Sequence, residues 1–304
     1  MPVTRPDASM SIAAPADVVA TTTPSWRSLA LLGALFLVVL GVLYSTVLRD
    51  LVAQWWDDDN YSHGFLVPFF TGYLIWQRRA ELRALPIRSS AVGWPVLVAG
   101  VAMLVLGDVG AENFLLRSSL IVILAGLVLV HLGTPVFRAV AFPLAFLFFA
   151  VPLPAILFYK VAFPLQGLAA QNSAWALDML GVPVLLDGNV IHLSRLSLGV
   201  VEACSGIRSL ISLLALAVAW AYLTLPSALA MAVLIAAAIP ITIVANAARI
   251  VITGLIGQSF GMEYAQGFFH TFSGWVIFVF AFVCLLGVHA LIRMVGAAWH
   301  RRGA

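Results

Sequence analysis

The feature that most constrains this chain is a series of apolar runs, several of them roughly 18–20 residues long, which recurs along its 304 residues. An α-helix of that length can cross the hydrocarbon core of a bilayer. Hydrophobic residues make up 62% of the chain and charged residues only 10%, whereas soluble domains average about 45–50% and about 25%. These values exclude a soluble globular enzyme, a disordered protein and a nucleic-acid-binding module. The sequence therefore predicts an all-α polytopic membrane protein.

The apolar runs predict about eight transmembrane helices, at residues 29–48, 65–77, 91–107, 118–133, 139–153, 209–225, 228–248 and 271–292. Residues 1–25 are rich in Ala, Thr, Ser and Pro and predict a disordered cytoplasmic tail. The first apolar run is longer than the core of a signal peptide, and no small-residue cleavage site follows it, so we expect it to be retained. Residues 26–304 are then expected to form a single transmembrane domain.

The distribution of basic residues predicts how the chain is threaded through the membrane. With the N-terminus inside, the inner segments hold ten of the 16 basic residues and three of the 13 acidic residues. Because cytoplasmic loops carry an excess of Arg and Lys, both termini are expected to face the cytoplasm.

On this topology the long segment at about 154–208 is an outward-facing insertion. Residues 166–180 predict an amphipathic helix that lies at the membrane interface. In residues 182–201, Asp187-Gly188 separates two apolar, β-branched stretches, which predicts a β-hairpin. The predicted fold is thus a bundle of about eight helices with a small outward-facing insertion of hairpin and helix.

Cys204 lies in VEACSGIRSL, where the predicted hairpin ends and the sixth span begins. The amide hydrogens and dipole of a helix N-terminus favour a thiolate, and Arg208, four residues later, adds positive charge on the same face. This setting suits a nucleophile, although a small buried cysteine would give the same pattern. Cys284 has apolar neighbours in the middle of a span and is expected to serve core packing.

Arg249 follows a long apolar run, and Asn246 lies three residues earlier on the same helical face. An Arg at this place is costly in lipid, and the two side chains could donate hydrogen bonds to a carbonyl or oxyanion. A snorkelling Arg that anchors the helix at the headgroups is the alternative.

His270 in GFFHTFSGW opens the eighth predicted span. It could act as a general acid and base, or lie in an interfacial aromatic belt. The topology places Cys204, Arg249 and His270 at one membrane surface. Together they suffice for acyl transfer without a cofactor: thiolate attack, stabilisation of the tetrahedral oxygen and proton transfer to the leaving amine.

A second polar cluster lies between the first two spans, in WWDDDNYSHGFLVP at residues 55–68. Its adjacent acids match no metal-binding motif, so no metal site is predicted. We expect a structural or substrate-contacting role instead, with Tyr61 and His63 as candidates for substrate contact.

Four motifs together resemble the exosortases, and more narrowly the exosortase A type. They are DNYSHGFLVPF at residues 59–69, VEACSGIRSL around Cys204, NAARI with Arg249, and FHTFSGW with His270. The resemblance covers nearly the whole chain, and the Cys motif is its most specific part.

The resemblance implies a membrane cysteine protease and transpeptidase with Cys204, Arg249 and His270 as its catalytic residues. It implies substrate proteins with a C-terminal Pro-Glu-Pro motif (PEP-CTERM), followed by a transmembrane helix and an Arg-rich tail. It also implies the inner membrane of a bacterium, an active site that faces the periplasm, an unidentified acceptor and a link to exopolysaccharide production. We further hypothesise that Arg208 pairs with the substrate Glu, and that Asn246 contributes to substrate binding.

Two alternatives remain open at the level of sequence. One is a membrane cysteine protease that only hydrolyses its substrate. The other is a non-enzymatic subunit of a polysaccharide export system, which would be expected to carry inverted repeats. We find no such repeat in the chain.

Overall fold

The computed structural model describes residues 26–200, 206–261 and 268–302, in two units, Met1–Leu43 and Tyr44–Ala304. The described part of the first unit is helix α1, Trp26–Leu43. The second unit contains the remaining elements: α2 Ser45–Asp57, a 3-10 segment Asp59–Phe65, α3 Leu66–Gln77, α4 Arg79–Ala84, α5 Gly93–Val109, α6 Asn113–His131, α7 Thr134–Phe146, a 3-10 turn Leu147–Ala150, α8 Ala155–Met179, β1 Val184–Asp187, β2 Val190–Leu193, β3 Ser197–Gly199, α9 Ile207–Thr224, α10 Ala228–Phe260 and α11 Phe268–Arg302. The predicted tail at residues 1–25 lies outside the described residues.

Four described helices are long and apolar enough to cross a membrane: Asn113–His131, Ile207–Thr224, Ala228–Phe260 and Phe272–Ala298. The number rises to six if each of two bent helix pairs counts as one span. This confirms the predicted all-α polytopic class, but eight spans are not confirmed. The predicted span at 65–77 corresponds to a helix of only 12 residues, about 18 Å long, which is shorter than the roughly 30 Å hydrocarbon core.

Helices α5 and α6 pack closely because glycines on α5 meet the backbone of α6. Gly93, Gly100 and Gly107 are buried at intervals of seven residues. A Cβ atom on Gly93 would lie 2.5 Å from the backbone nitrogen of Val130, and one on Gly107 would lie 2.6 Å from that of Leu116. No side chain fits at either position without a shift of the helices.

The predicted interfacial helix at 166–180 is wrong in extent, because α8 begins at Ala155 and has 25 residues. Residues 155–165 are largely apolar and continue the helix, with Pro164 accommodated inside it. The segments Thr134–Ala150 and Ala155–Met179 form one of the two bent pairs, with an angle of 75° between them. Buried Ser173 of α8 donates a hydrogen bond to the carbonyl oxygen of Ala247 in α10, at 3.3 Å.

The predicted hairpin is confirmed: β1 and β2 pair antiparallel, with Asp187 opposite Val190. The turn residues are therefore Gly188 and Asn189, one position later than predicted. Gly188 has φ of +59°, and a positive φ at the first central position is the pattern of a type II′ turn. A third strand, β3, pairs with β2 and was not predicted.

Helix α10 continues well beyond the predicted span at 228–248 and ends at Phe260. Its later residues, Ile250 and Val251, join the hydrophobic cluster that contains Leu177 of α8 and Ile191 of β2. The three-stranded sheet and α8 thus pack against this part of α10. Arg249 consequently lies inside the helix, so the predicted end of this element at residue 248 is wrong. The place of Arg249 at the membrane surface stays a prediction.

Candidate active site

The N-terminus of α9 is held directly against α10. Gly206, which precedes α9, has φ of +81°, and a Cβ atom there would lie 2.9 Å from Cγ of Asn246. Glycine is required because the left-handed backbone and the close approach both exclude a side chain. Cys204 lies outside the described residues, two positions before Gly206.

A small pocket joins the first turn of α9 to α10 and α11. Its lining residues are Ser209, Thr242, Ala245, Asn246, Arg249, Gly274, Ile277, Phe278 and Ala281. Nη1 of Arg249 lies 3.8 Å from the position of a Cβ atom on Gly274. His270 lies four residues earlier in α11, within the first turn of the helix. Asn246 therefore lies against Gly206, which follows Cys204 by two residues in the sequence. Arg249 lies beside Gly274, which follows His270 by four residues.

The pocket is narrow, with room for about one water molecule. Asn246 is only 4% exposed, and Arg249 is partly buried. A guanidinium and an amide in a site with little water are strong hydrogen-bond donors toward a carbonyl oxygen. The arrangement can therefore stabilise negative charge on oxygen.

Sequence reasoning missed Ser209, Thr242 and Gly274 as lining residues of this pocket. Ser209 and Gly274 belong to the motifs VEACSGIRSL and FHTFSGW, and they follow Cys204 by five residues and His270 by four. The i,i+4 spacing on a helix could have suggested Gly274, whereas Ser209 carried no such signal. Thr242 lies seven residues before Arg249 in an apolar run and carried no comparable signal.

His63 is held inside the protein between two elements. Its Nε2 donates a hydrogen bond to the carbonyl oxygen of Phe149 at 3.1 Å. Its Nδ1 lies 3.4 Å from the hydroxyl oxygen of Ser212 in α9. The carbonyl partner requires a proton on Nε2, and burial lowers the pKa of His63 below its ordinary value. Contact of His63 with substrate remains a prediction.

The rest of the 3-10 segment also packs against neighbouring protein. Tyr61 is 6% exposed, and its ring lies 6.3 Å from that of Phe158. Trp55 donates from Nε1 to the carbonyl oxygen of Ala150 at 2.8 Å, and Gly64 leaves room for its indole. These contacts give the segment a structural role, while contact of Tyr61 with substrate stays a prediction.

Arg208 forms an ion pair with Asp59, with 3.0 Å between Nη1 and Oδ2. Arg208 and Ser212 are four residues apart and both reach the Asp59–Phe65 segment, whereas Ser209 lines the pocket beside Arg249. The first turns of α9 therefore connect two polar regions: the 3-10 segment on one side and the pocket of α10 and α11 on the other.

Within the described ranges, no group of three or more His, Cys, Asp or Glu side chains is placed to hold a metal ion. Two of the three adjacent acids in the second cluster have separate partners. Asp58 accepts a hydrogen bond from the backbone N–H of Asn60 at 2.9 Å, and Asp59 pairs with Arg208.

Comparison with known protein families gives a match to the transmembrane exosortases over residues 55–287. The chain belongs to this family. The matched range includes Cys204, Arg249, His270 and the 3-10 segment, and membership supports a membrane transpeptidase or protease of the exosortase type. Membership and the apolar helices together indicate a multi-pass membrane protein. No curated protein and no solved structure gives a significant match to this exosortase-family chain.

Proposed function

We propose that the chain is a cysteine-dependent transpeptidase in which Cys204, Arg249 and His270 are the catalytic residues. The Cys204 thiolate attacks the carbonyl carbon of the scissile peptide bond, and Arg249 stabilises the negative oxygen of the tetrahedral intermediate. His270 then donates a proton to the departing amine, which leaves the substrate as a thioester on Cys204. An acceptor nucleophile loses a proton to His270, attacks the thioester and regenerates the thiolate. The reaction uses no cofactor.

The observation that carries this proposal is the pocket in which Arg249 meets the first turn of α9 and the beginning of α11. Cys204 lies three residues before the beginning of α9, and His270 is the third residue of α11. Three helices contribute to one polar site in a chain with few charges. Support also comes from the family match, whose range contains all three residues.

We propose as substrates exported proteins that end in a Pro-Glu-Pro motif, a transmembrane helix and an Arg-rich tail. The helix of such a substrate would hold its motif at the outer face of the bacterial inner membrane. The positive-inside pattern predicts that Cys204, Arg249 and His270 lie at the same face. Arg208 would bind the substrate Glu, and Asn246 would help orient the scissile carbonyl. The acceptor is unidentified, and we propose that its chemistry is linked to exopolysaccharide production.

Processing of a tagged Pro-Glu-Pro substrate, co-expressed with the full chain, tests the proposal. Cys204→Ala and Cys204→Ser should abolish processing because both lack the thiolate. Cys284→Ala is the matched control and should leave processing intact, since Cys284 lies within a spanning helix. Unchanged processing with Cys204→Ala would falsify the proposal.

Mass spectrometry of the new substrate C-terminus distinguishes transfer from hydrolysis. A mass increment from a covalently attached acceptor is expected for a transpeptidase. A bare carboxylate on every product molecule would instead assign the chain to the proteases that only hydrolyse.

A further inference from the structure

Arg78 joins three helices at the end of α3. Its Nη1 donates a hydrogen bond to the carbonyl oxygen of Ala139 in α7 at 2.9 Å, and its Cζ lies 5.5 Å from the centre of the Tyr222 ring in α9. Tyr222 follows Ser209 by 13 residues, which is about 20 Å along a helix. This end of the bundle therefore lies away from the candidate active site.

The loop after α4 is held at the same end by backbone contacts with the end of α6. The backbone N–H of Arg88 donates to the carbonyl oxygen of Leu132 at 3.4 Å, and that of Ser90 donates to the carbonyl oxygen of Leu129 at 3.1 Å. Arg138 follows in the second turn of α7. Arginines from α3, α4, this loop and α7 are thus brought together, although they are up to 60 positions apart in the sequence.

Basic side chains dominate this end of the bundle. Residues 77–92 and 131–138 contain five arginines and a single acidic residue, Glu81. Arg79, Arg83, Arg88 and Arg138 are exposed, and none of them forms an ion pair with another described residue. A surface with four exposed guanidinium groups attracts an anionic partner.

Exposed tryptophans accompany these arginines. Trp76 near the end of α3 is 59% exposed, and Trp94 at the beginning of α5 is 58% exposed. The guanidinium of Arg79 lies over the Trp76 ring, with Cζ 4.1 Å from its centre, and Arg83 is one helical turn later on the same face of α4. Tryptophans and arginines occur together at the level of the lipid headgroups, so the anionic partner that fits this surface is a lipid.

We propose that Arg79 and Arg83 bind the headgroup phosphate of an anionic phospholipid in the leaflet that this end of the bundle faces. A guanidinium donates parallel N–H groups to phosphate oxygens, and contact with Trp76 restricts the rotamers of Arg79. Arg88 and Arg138 add to the positive potential at the surface. The inference goes beyond the proposed function and does not depend on it.

Native mass spectrometry of the full chain in a neutral detergent tests this inference. Phosphatidylglycerol is the anionic probe, and phosphatidylcholine is the zwitterionic probe, whose ammonium group offsets its phosphate. The chain should bind phosphatidylglycerol more tightly. Arg79→Gln combined with Arg83→Gln should reduce the affinity for phosphatidylglycerol about 25-fold, or about fivefold for each arginine. The affinity for phosphatidylcholine should not change. Arg83→Gln alone should give the fivefold loss and serves if the double variant does not fold.

Arg49→Gln combined with Arg195→Gln is the matched control, since both arginines are exposed and lie in α2 and between β2 and β3. It removes the same charge elsewhere and should leave both affinities unchanged. Equal affinity of the chain for the two lipids would overturn the inference. A preference for phosphatidylglycerol that survives Arg79→Gln with Arg83→Gln would also overturn it. Displacement of bound phosphatidylglycerol by an equal concentration of inorganic phosphate would exclude the lipid as the specific occupant.

Discussion

A Cβ atom on Gly206 would lie 2.9 Å from Cγ of Asn246, closer than packed side chains allow. This contact brings the beginning of α9, which follows Cys204, against the part of α10 that carries Asn246 and Arg249. The backbone at Gly206 has a left-handed φ of +81°. One glycine therefore meets two requirements, a turn into the helix and a close approach between helices.

Gly206→Ala is expected to lower the free energy of unfolding by about 1–3 kcal/mol for the left-handed backbone, with a further loss from the overlap with Asn246. Gly181→Ala is the matched control, because Gly181 has φ of +78° but no atom within 4 Å of its Cβ position. Thermal unfolding in detergent should show a larger decrease in Tm for Gly206→Ala. Equal decreases for the two variants would mean that the contact with Asn246 has no energetic effect.

Arg249→Gln is expected to reduce the rate of substrate processing about 10²–10³-fold, the usual effect of losing one donor to an oxyanion. The initial rate of processing in membranes measures the effect, and size-exclusion chromatography checks that the variant folds. Arg195→Gln is the control, since Arg195 is exposed between β2 and β3 and should retain the full rate. A normal rate for Arg249→Gln would leave only an anchoring role for this residue.

His63 is expected to make stability depend on pH. Burial lowers the pKa of His63 in the folded chain below its ordinary value of 6.5, so the unfolded chain binds this proton more readily. The contribution is fully present above about pH 6.5 and is lost as pH falls toward the lowered pKa of the folded state. Tm measured between pH 7.5 and 5 should therefore decrease less steeply for His63→Gln. Parallel curves for the two proteins would contradict this assignment.

Gly100→Ala is expected to separate α5 from α6, because its Cβ atom would lie 2.7 Å from Cγ1 and 3.0 Å from the backbone nitrogen of Ile123. Overpacking of this kind costs about 1–3 kcal/mol. Gly167→Ala in α8 is the control, with no atom within 4 Å of its Cβ position. It should be neutral or stabilising, since Ala favours a helix. A Tm for Gly100→Ala as high as that of Gly167→Ala would refute close packing at this position.

The hairpin could be predicted because its signals are local. Asp187-Gly188 between two β-branched stretches was sufficient to predict two antiparallel strands. The exact turn could not be assigned, since Gly188-Asn189 and Asp187-Gly188 are both acceptable turn pairs. The pairing of Asp187 with Val190 decides between them.

The end of α10 could not be predicted, because a charged residue after an apolar run resembles a helix that has reached the membrane surface. Arg249 continues the helix instead, since Ile250 and Val251 pack against the sheet and α8. That packing depends on residues more than 50 positions away in sequence, such as Ile191.

The sequence by itself determined the membrane class, because apolar content and run length are properties of composition and of local order. It also determined which rare polar motifs occur in the chain. Only the tertiary structure decided which of them meet: Asn246 with the turn before α9, Arg249 with α11, and His63 and Asp59 with Ser212 and Arg208. Contacts between distant segments depend on helix packing and side-chain orientation, and neither is encoded in the spacing of residues along one helix.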